Sequence, residues 1–180
     1  FSSYTEQQIK LMIESHYLCF SAERYTEMKD TYPALATEYL IQYKDAFLEI
    51  LDDCNIEISV IDELIADTRM SEQEKKMIIL NTDISELDSQ MAQWIRNSHE
   101  ILPKEYVQTA WNSLETNQKY ELLKNHIETF DENDLQQMFT ELDTDYHALS
   151  DRLRKHKVSL YRNEVNVIIM KYLEKIGYLS

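Results

Sequence analysis

The chain has 180 residues, 43% of them hydrophobic and 28% charged, which supplies a packed core and is too apolar for a disordered chain. One glycine, Gly177, and two prolines, Pro33 and Pro103, leave little for hairpin turns and exclude the glycine-rich loops that bring backbone amides onto a phosphate. A net charge of −15 sets the molecule's field against nucleic-acid phosphates and anionic lipid, so no nucleic acid is expected as a partner.

Helix signals run through the rest. Thr5 and Gln8 form a capping box, followed at helical spacing by Ile9, Met12, Ile13, Tyr17 and Phe20. A second, short helix is predicted around Ala22 to Lys29. Thr31 and Pro33 mark a third start, after which Leu40, Tyr43, Phe47, Ile50, Leu51 and Cys54 keep one face apolar for about six turns. This is expected to be the longest helix of the N-terminal half. Ser59 with Asp62, Ser71 with Glu74, and Ser85 with Asp88 then repeat the capping pattern ahead of three short apolar sets.

Leu102 and Pro103 open a helix carrying Val107, Ala110, Trp111 and Leu114, and Thr116 opens another with Tyr120, Leu123 and Ile127. Leu135, Met138, Phe139, Leu142, Tyr146, Leu149 and Leu153 form one amphipathic stripe. A last helix, Val165 to Ile176, is expected to stop at Gly177, with Tyr178 folding back on Leu173.

The reading is therefore all-α: an irregular multi-helix domain of about 8–10 helices, in halves 1–100 and 101–180 that pack as one compact unit. Lys75, Met77, Ile78, Ile79 and Asn81 are echoed 44 residues later by Lys119, Glu121, Leu122, Leu123 and Asn125, a spacing that suggests stacked helical pairs of the HEAT type. Cys19 and Cys54 fall within apolar helical patterns and read as buried free thiols of a reducing compartment. No stretch is apolar enough to enter a membrane directly, and a cytoplasmic location is expected. The start, Phe1 to Ser3, lacks a methionine and reads as a cut within a larger protein.

The chemistry is sparse. None of the five histidines follows a glutamate by three residues, and no His-Glu-x-x-His helix occurs, so neither a di-metal bundle nor a zinc helix is expected. Asp143 and His147 read as an exposed helical pair. Asp131, Glu132, Asn133 and Asp134 read as capping acids, since a calcium loop would need a glycine there. The basic run Arg152 to Lys157 reads as a solvated helix end. No catalytic residue, metal or cofactor is expected.

Twelve tyrosines and two tryptophans are the remaining surplus. Most sit beside apolar stripes and read as core-rim residues; as a contact surface for a protein partner, Trp94, Trp111, Tyr120 and Tyr146 are the candidates, because aromatic residues are enriched at interfaces.

Pro103, Trp111, Lys119, Leu122, Leu123, the run Leu135 to Leu149, Asn166, Leu173 and Gly177-Tyr178, with Tyr39-Leu40-Ile41 and Ser71 to Ile79 earlier, resemble the helical C-terminal region of large bacterial P-loop NTPases of the YobI-like type. The resemblance implies an ATPase domain upstream and no catalytic residue within this stretch.

The expected function is a non-catalytic helical interaction or regulatory module of a larger intracellular protein, contacting a protein partner or other domains of its own polypeptide. The alternative is a small all-α enzyme or ligand-binding bundle whose site joins His126, Glu141 and Tyr146.

Overall fold

The computed structural model describes residues 3–147, with side chains to residue 142. Among them are ten α-helices, four 3-10 turns and no strand, so the chain is all-α. It divides into two compact units, Phe1–Glu86 and Leu87–Ser180. The helix expected over Val165 to Ile176, its Gly177 stop and the basic run at Arg152 lie outside the described residues.

The N-terminal unit holds α1 (Glu6–Glu14), α2 (Ala22–Thr31), α3 (Ala36–Gln42), α4 (Lys44–Glu49), α5 (Ile58–Ala66) and α6 (Glu72–Asn81). Helix α3 is its hub and packs against α1, α2 and α5. Ile9 and Ile13 of α1, Tyr25 and Met28 of α2, Tyr39 and Leu40 of α3, Phe47 of α4 and Leu64 of α5 are closed to solvent.

The long third helix is broken. A 3-10 turn at Pro33–Leu35 precedes α3, Tyr43 separates α3 from α4, and a second 3-10 turn, Leu51–Asp53, follows. A straight helix over residues 33–54 would run roughly 33 Å, about as far as an 86-residue unit is wide, and would carry its apolar ends past the core. The bends instead gather Tyr39, Tyr43 and Phe47 around Phe20, with ring centroids 5.2 to 6.4 Å from it.

Polar groups brace this unit. Arg69, in the α5–α6 connection, grips both carboxylate oxygens of Glu38 at 2.9 Å and also bonds Asp67. That fork-to-carboxylate match ties α3 to the loop before α6. The guanidinium hydrogen bonds hold both the Glu38 and Asp67 carboxyls below their ordinary range. Lys44 of α4 reaches the Arg69 carbonyl at 3.0 Å and Glu74 at 3.2 Å.

The C-terminal unit holds α7 (Ser89–Asn97), α8 (Lys104–Ser113), α9 (Thr116–His126) and α10 (Glu132–His147). Helix α7 packs on α8 and α9, which is why it belongs to this unit and the division falls before residue 87. Met91, Ile95, Val107, Trp111, Leu122 and Leu123 are closed to solvent.

Several helix starts move by a few residues. Helix α5 begins at Ile58 after Glu57, so Ser59 lies inside its first turn. Ser85 bonds back to Asp83 through both its amide, at 2.9 Å, and its hydroxyl, at 2.7 Å, leaving Asp88 to cap α7 through the Met91 amide. Glu115, one residue before Thr116, caps α9 and its amide donates to Gln118 Oε1 at 3.1 Å. The acids at 131–134 do act as caps: Asp131 and Asp134 each accept the other's amide at the head of α10.

Stacked helical pairs of the HEAT type are not shown, and the 44-residue echo extends to how each segment is built. The Ser71 and Glu115 amides each donate to the side-chain oxygen three residues on, of Glu74 and Gln118. The next residue is a buried lysine in both, Lys75 and Lys119, and each segment closes on a buried polar residue, Thr82 and His126.

Candidate functional site

Helix α1 stops without a glycine. The His16 amide bonds the Ile13 carbonyl at 3.1 Å and the Tyr17 amide bonds the Met12 carbonyl at 2.9 Å, the paired bonds of a Schellman motif. His16 occupies its left-handed position, φ 56°, where a residue with a Cβ is disfavoured. Its ring lies 4.9 Å from that of Tyr43, a contact glycine could not make. The Tyr17 amide is thereby tied to Met12, and both side chains line one groove.

The result is a groove of about 430 Å³ at the α1–α2 corner, lined by Tyr4, Met12, Tyr17, Leu18, Cys19, Arg24 and Glu27. Its walls are pinned from below. The Cys19 carbonyl accepts the Tyr39 hydroxyl at 2.9 Å and the Arg24 guanidinium at 3.1 Å, and the Tyr4 carbonyl accepts the Tyr32 hydroxyl. Five large apolar side chains stand exposed among the described residues, and two line this groove, Tyr17 at 77% and Tyr4 at 44%, while Leu11 at 55% is on α1. Scattered apolar exposure needs no explanation, whereas a cluster beside a groove marks a contact surface.

Cys19 is exposed, not buried as its sequence setting suggested. The helical pattern it was read into ends at the His16 stop, so it lies on the open connection before α2. Cys54 is buried, and that burial, with Asp53 beside it, pushes its thiol up.

The aromatic contact candidates fall differently. Trp111 is closed to solvent, and Trp94 and Tyr120 are 8% and 5% exposed, all within the core of the C-terminal unit. The Tyr146 side chain lies outside the described ones. The surface aromatics Tyr4 and Tyr17, with Leu11, are what the sequence reading missed. One signal was available: Leu11 sits about 200° around α1 from Ile9, opposite the Ile9–Ile13 stripe.

Two further polar centres belong to the C-terminal unit. The Trp111 indole donates to Glu141 Oε2 at 2.8 Å, and Lys119 Nζ bonds Glu141 Oε1 at 2.5 Å while lying 5.3 Å from the centre of the Trp111 ring. Burial would raise the Glu141 carboxyl, but the Lys119 and Trp111 hydrogen bonds outweigh it and hold the group below its ordinary range.

The other is an open cleft of about 920 Å³ lined by residues 99–102, Lys104 and residues 124–129. At its floor, the buried His126 is 2.6 Å from the Ile95 carbonyl, and Asn125 bonds the Arg96 carbonyl at 2.7 Å. A carbonyl only accepts, so His126 Nε2 carries the proton. Burial lowers the imidazole pKa. Both side chains thereby satisfy the last carbonyls of α7. His126 and Glu141 serve these separate structures, and no described contact joins them. Among the described residues no cluster of three or more His, Cys, Asp or Glu is placed to hold a metal ion.

No family model matches the chain, and no solved structure matches it. Over 184 aligned residues it is 21% identical to a protein of Bacillus subtilis (strain 168), covering 98% of this chain. The chain is similar to YobI. That protein is named an uncharacterized membrane protein, and the chain spans 15% of its length. This match corrects the cytoplasmic location expected from the sequence. The expectation rested on the lack of an apolar span, and so short a share of YobI says nothing of spans elsewhere in it. Among the described residues no helix is long and apolar enough to cross a membrane.

Proposed function

We propose that the chain is a helical protein-interaction module of a longer polypeptide, contributing binding and not catalysis, with the α1–α2 groove as its contact surface. The observation that carries this is that the exposed rings of Tyr4 and Tyr17 line one groove whose backbone is braced by the Tyr32 and Tyr39 hydroxyls. Aromatic side chains fixed by a rigid scaffold bind a partner with little ordering entropy left to lose. The match to a small share of YobI supports the longer polypeptide, and through it an association with a membrane-located protein. The link to a P-loop NTPase rests on the sequence resemblance alone.

Affinity co-purification from cells that make the protein tests the reading, comparing wild type with Leu11→Ser/Tyr17→Ser. Both side chains are exposed, so the variant keeps its helical circular dichroism. Co-purifying proteins that disappear with the variant support the proposal; an unchanged set contradicts it.

A further inference from the structure

Resting on that contact-surface reading, we infer that the occupant of the α1–α2 groove is a basic amphipathic segment of a protein, whose apolar residues seat on Tyr4, Met12, Tyr17 and Leu18 and whose Lys and Arg face the acidic flanks. The groove supplies the apolar half: Tyr4, Met12, Tyr17 and Leu18 are among its lining residues.

Charge supplies the other half. Residues 1–86 contain 18 acidic and 7 basic side chains, so this unit carries −11 of the chain's −15. Glu6, Glu14, Glu23 and Asp30 stand exposed on α1 and α2, the two helices that contribute Met12, Arg24 and Glu27 to the groove. Helices α1 and α2 hold five acidic side chains against three basic ones, Lys10, Arg24 and Lys29; Arg24 lines the groove with its guanidinium turned onto the Cys19 carbonyl, and Lys29 lies 3.9 Å from Glu57. An approaching cation is thus drawn in, while an acidic peptide or an anionic bilayer meets a repulsive field. Apolar anchors with basic flanks are how an amphipathic helix is read by a groove.

The probe is a short helical peptide of leucine and lysine, fluorescently labelled and titrated against the full chain. Three controls accompany it: the same peptide with glutamate for lysine, one with serine for leucine, and vesicles of phosphatidylcholine with or without phosphatidylglycerol. Expected are binding of the leucine–lysine peptide that weakens in high salt, a loss of about tenfold or more in Leu11→Ser/Tyr17→Ser, and slower alkylation of Cys19 in the complex. If a glutamate peptide binds in a Tyr17-dependent way, the charge inference is overturned and the contact surface stands. Binding of the lysine peptide that ignores Leu11 and Tyr17, or no peptide binding at all, overturns the groove assignment. Vesicle binding tighter than peptide binding overturns the protein partner in favour of a lipid surface.

Discussion

The indole Nε1 of Trp111 donates to Oε2 of Glu141 at 2.8 Å, joining a side chain closed to solvent on α8 to a carboxylate that is 44% exposed on α10. The two losses at this position are separable. Trp111→Phe keeps most of the ring volume, and the released carboxylate regains water, so the expected cost is about 1 kcal/mol. Trp111→Ala leaves a cavity and is expected to cost about 3–5 kcal/mol. Urea unfolding followed by circular dichroism measures both.

Acid should loosen the N-terminal unit through Arg69. Glu38 and Asp67 are held below their ordinary range when folded, so the contribution is fully present above the unfolded carboxylate pKa values. It is lost as pH falls through the folded ones. Arg69 is about half exposed, which limits each pair to less than about 1 kcal/mol. Arg69→Gln should lower the urea midpoint at neutral pH and flatten its decline below about pH 4.5. Parallel curves for the two proteins would contradict this.

His126 gives the C-terminal unit a second acid dependence in a different window. Burial depresses its folded pKa, so the unfolded chain takes up a proton first. The resulting stability is present above about pH 6.5 and is lost as pH falls towards the folded value. His126→Gln keeps a donor for the Ile95 carbonyl and should remove this part of the slope, measured as the difference between the two urea-midpoint profiles.

The groove's bracing can be tested by two tyrosines of opposite expectation. Tyr39→Phe removes the bond to the Cys19 carbonyl and should cost about 1 kcal/mol. Tyr25→Phe removes a buried hydroxyl that has no hydrogen-bond partner, and should leave stability unchanged or slightly raised. Thermal unfolding of both variants decides between them.

Thiol reactivity reports the corner directly. Cys19 is exposed and Cys54 is buried with a raised pKa, so the native chain should take up one equivalent of a maleimide quickly. The second should follow only in denaturant.

What the sequence made legible was local. The Thr5–Gln8 and Ser71–Glu74 boxes stand as read, because a cap is decided by residues three apart. The break at Tyr43 was hidden, since the apolar period runs straight through it and only packing around Phe20 requires the bend. The site was hidden for a related reason. Trp94, Trp111 and Tyr120 have the composition of contact residues, but burial depends on which helix covers them. His16, the residue that builds the groove, stands where a helix-stop rule looks for glycine.

The proposed contact surface puts Tyr17 against a protein partner. Replacing Tyr17 with a photo-crosslinking phenylalanine derivative in cells that make the protein, with Gln137 on the exposed face of α10 as the control position, tests it most directly. A discrete protein adduct from position 17 that is absent from position 137 is the predicted result. No adduct from position 17, or the same adducts from both, would contradict it.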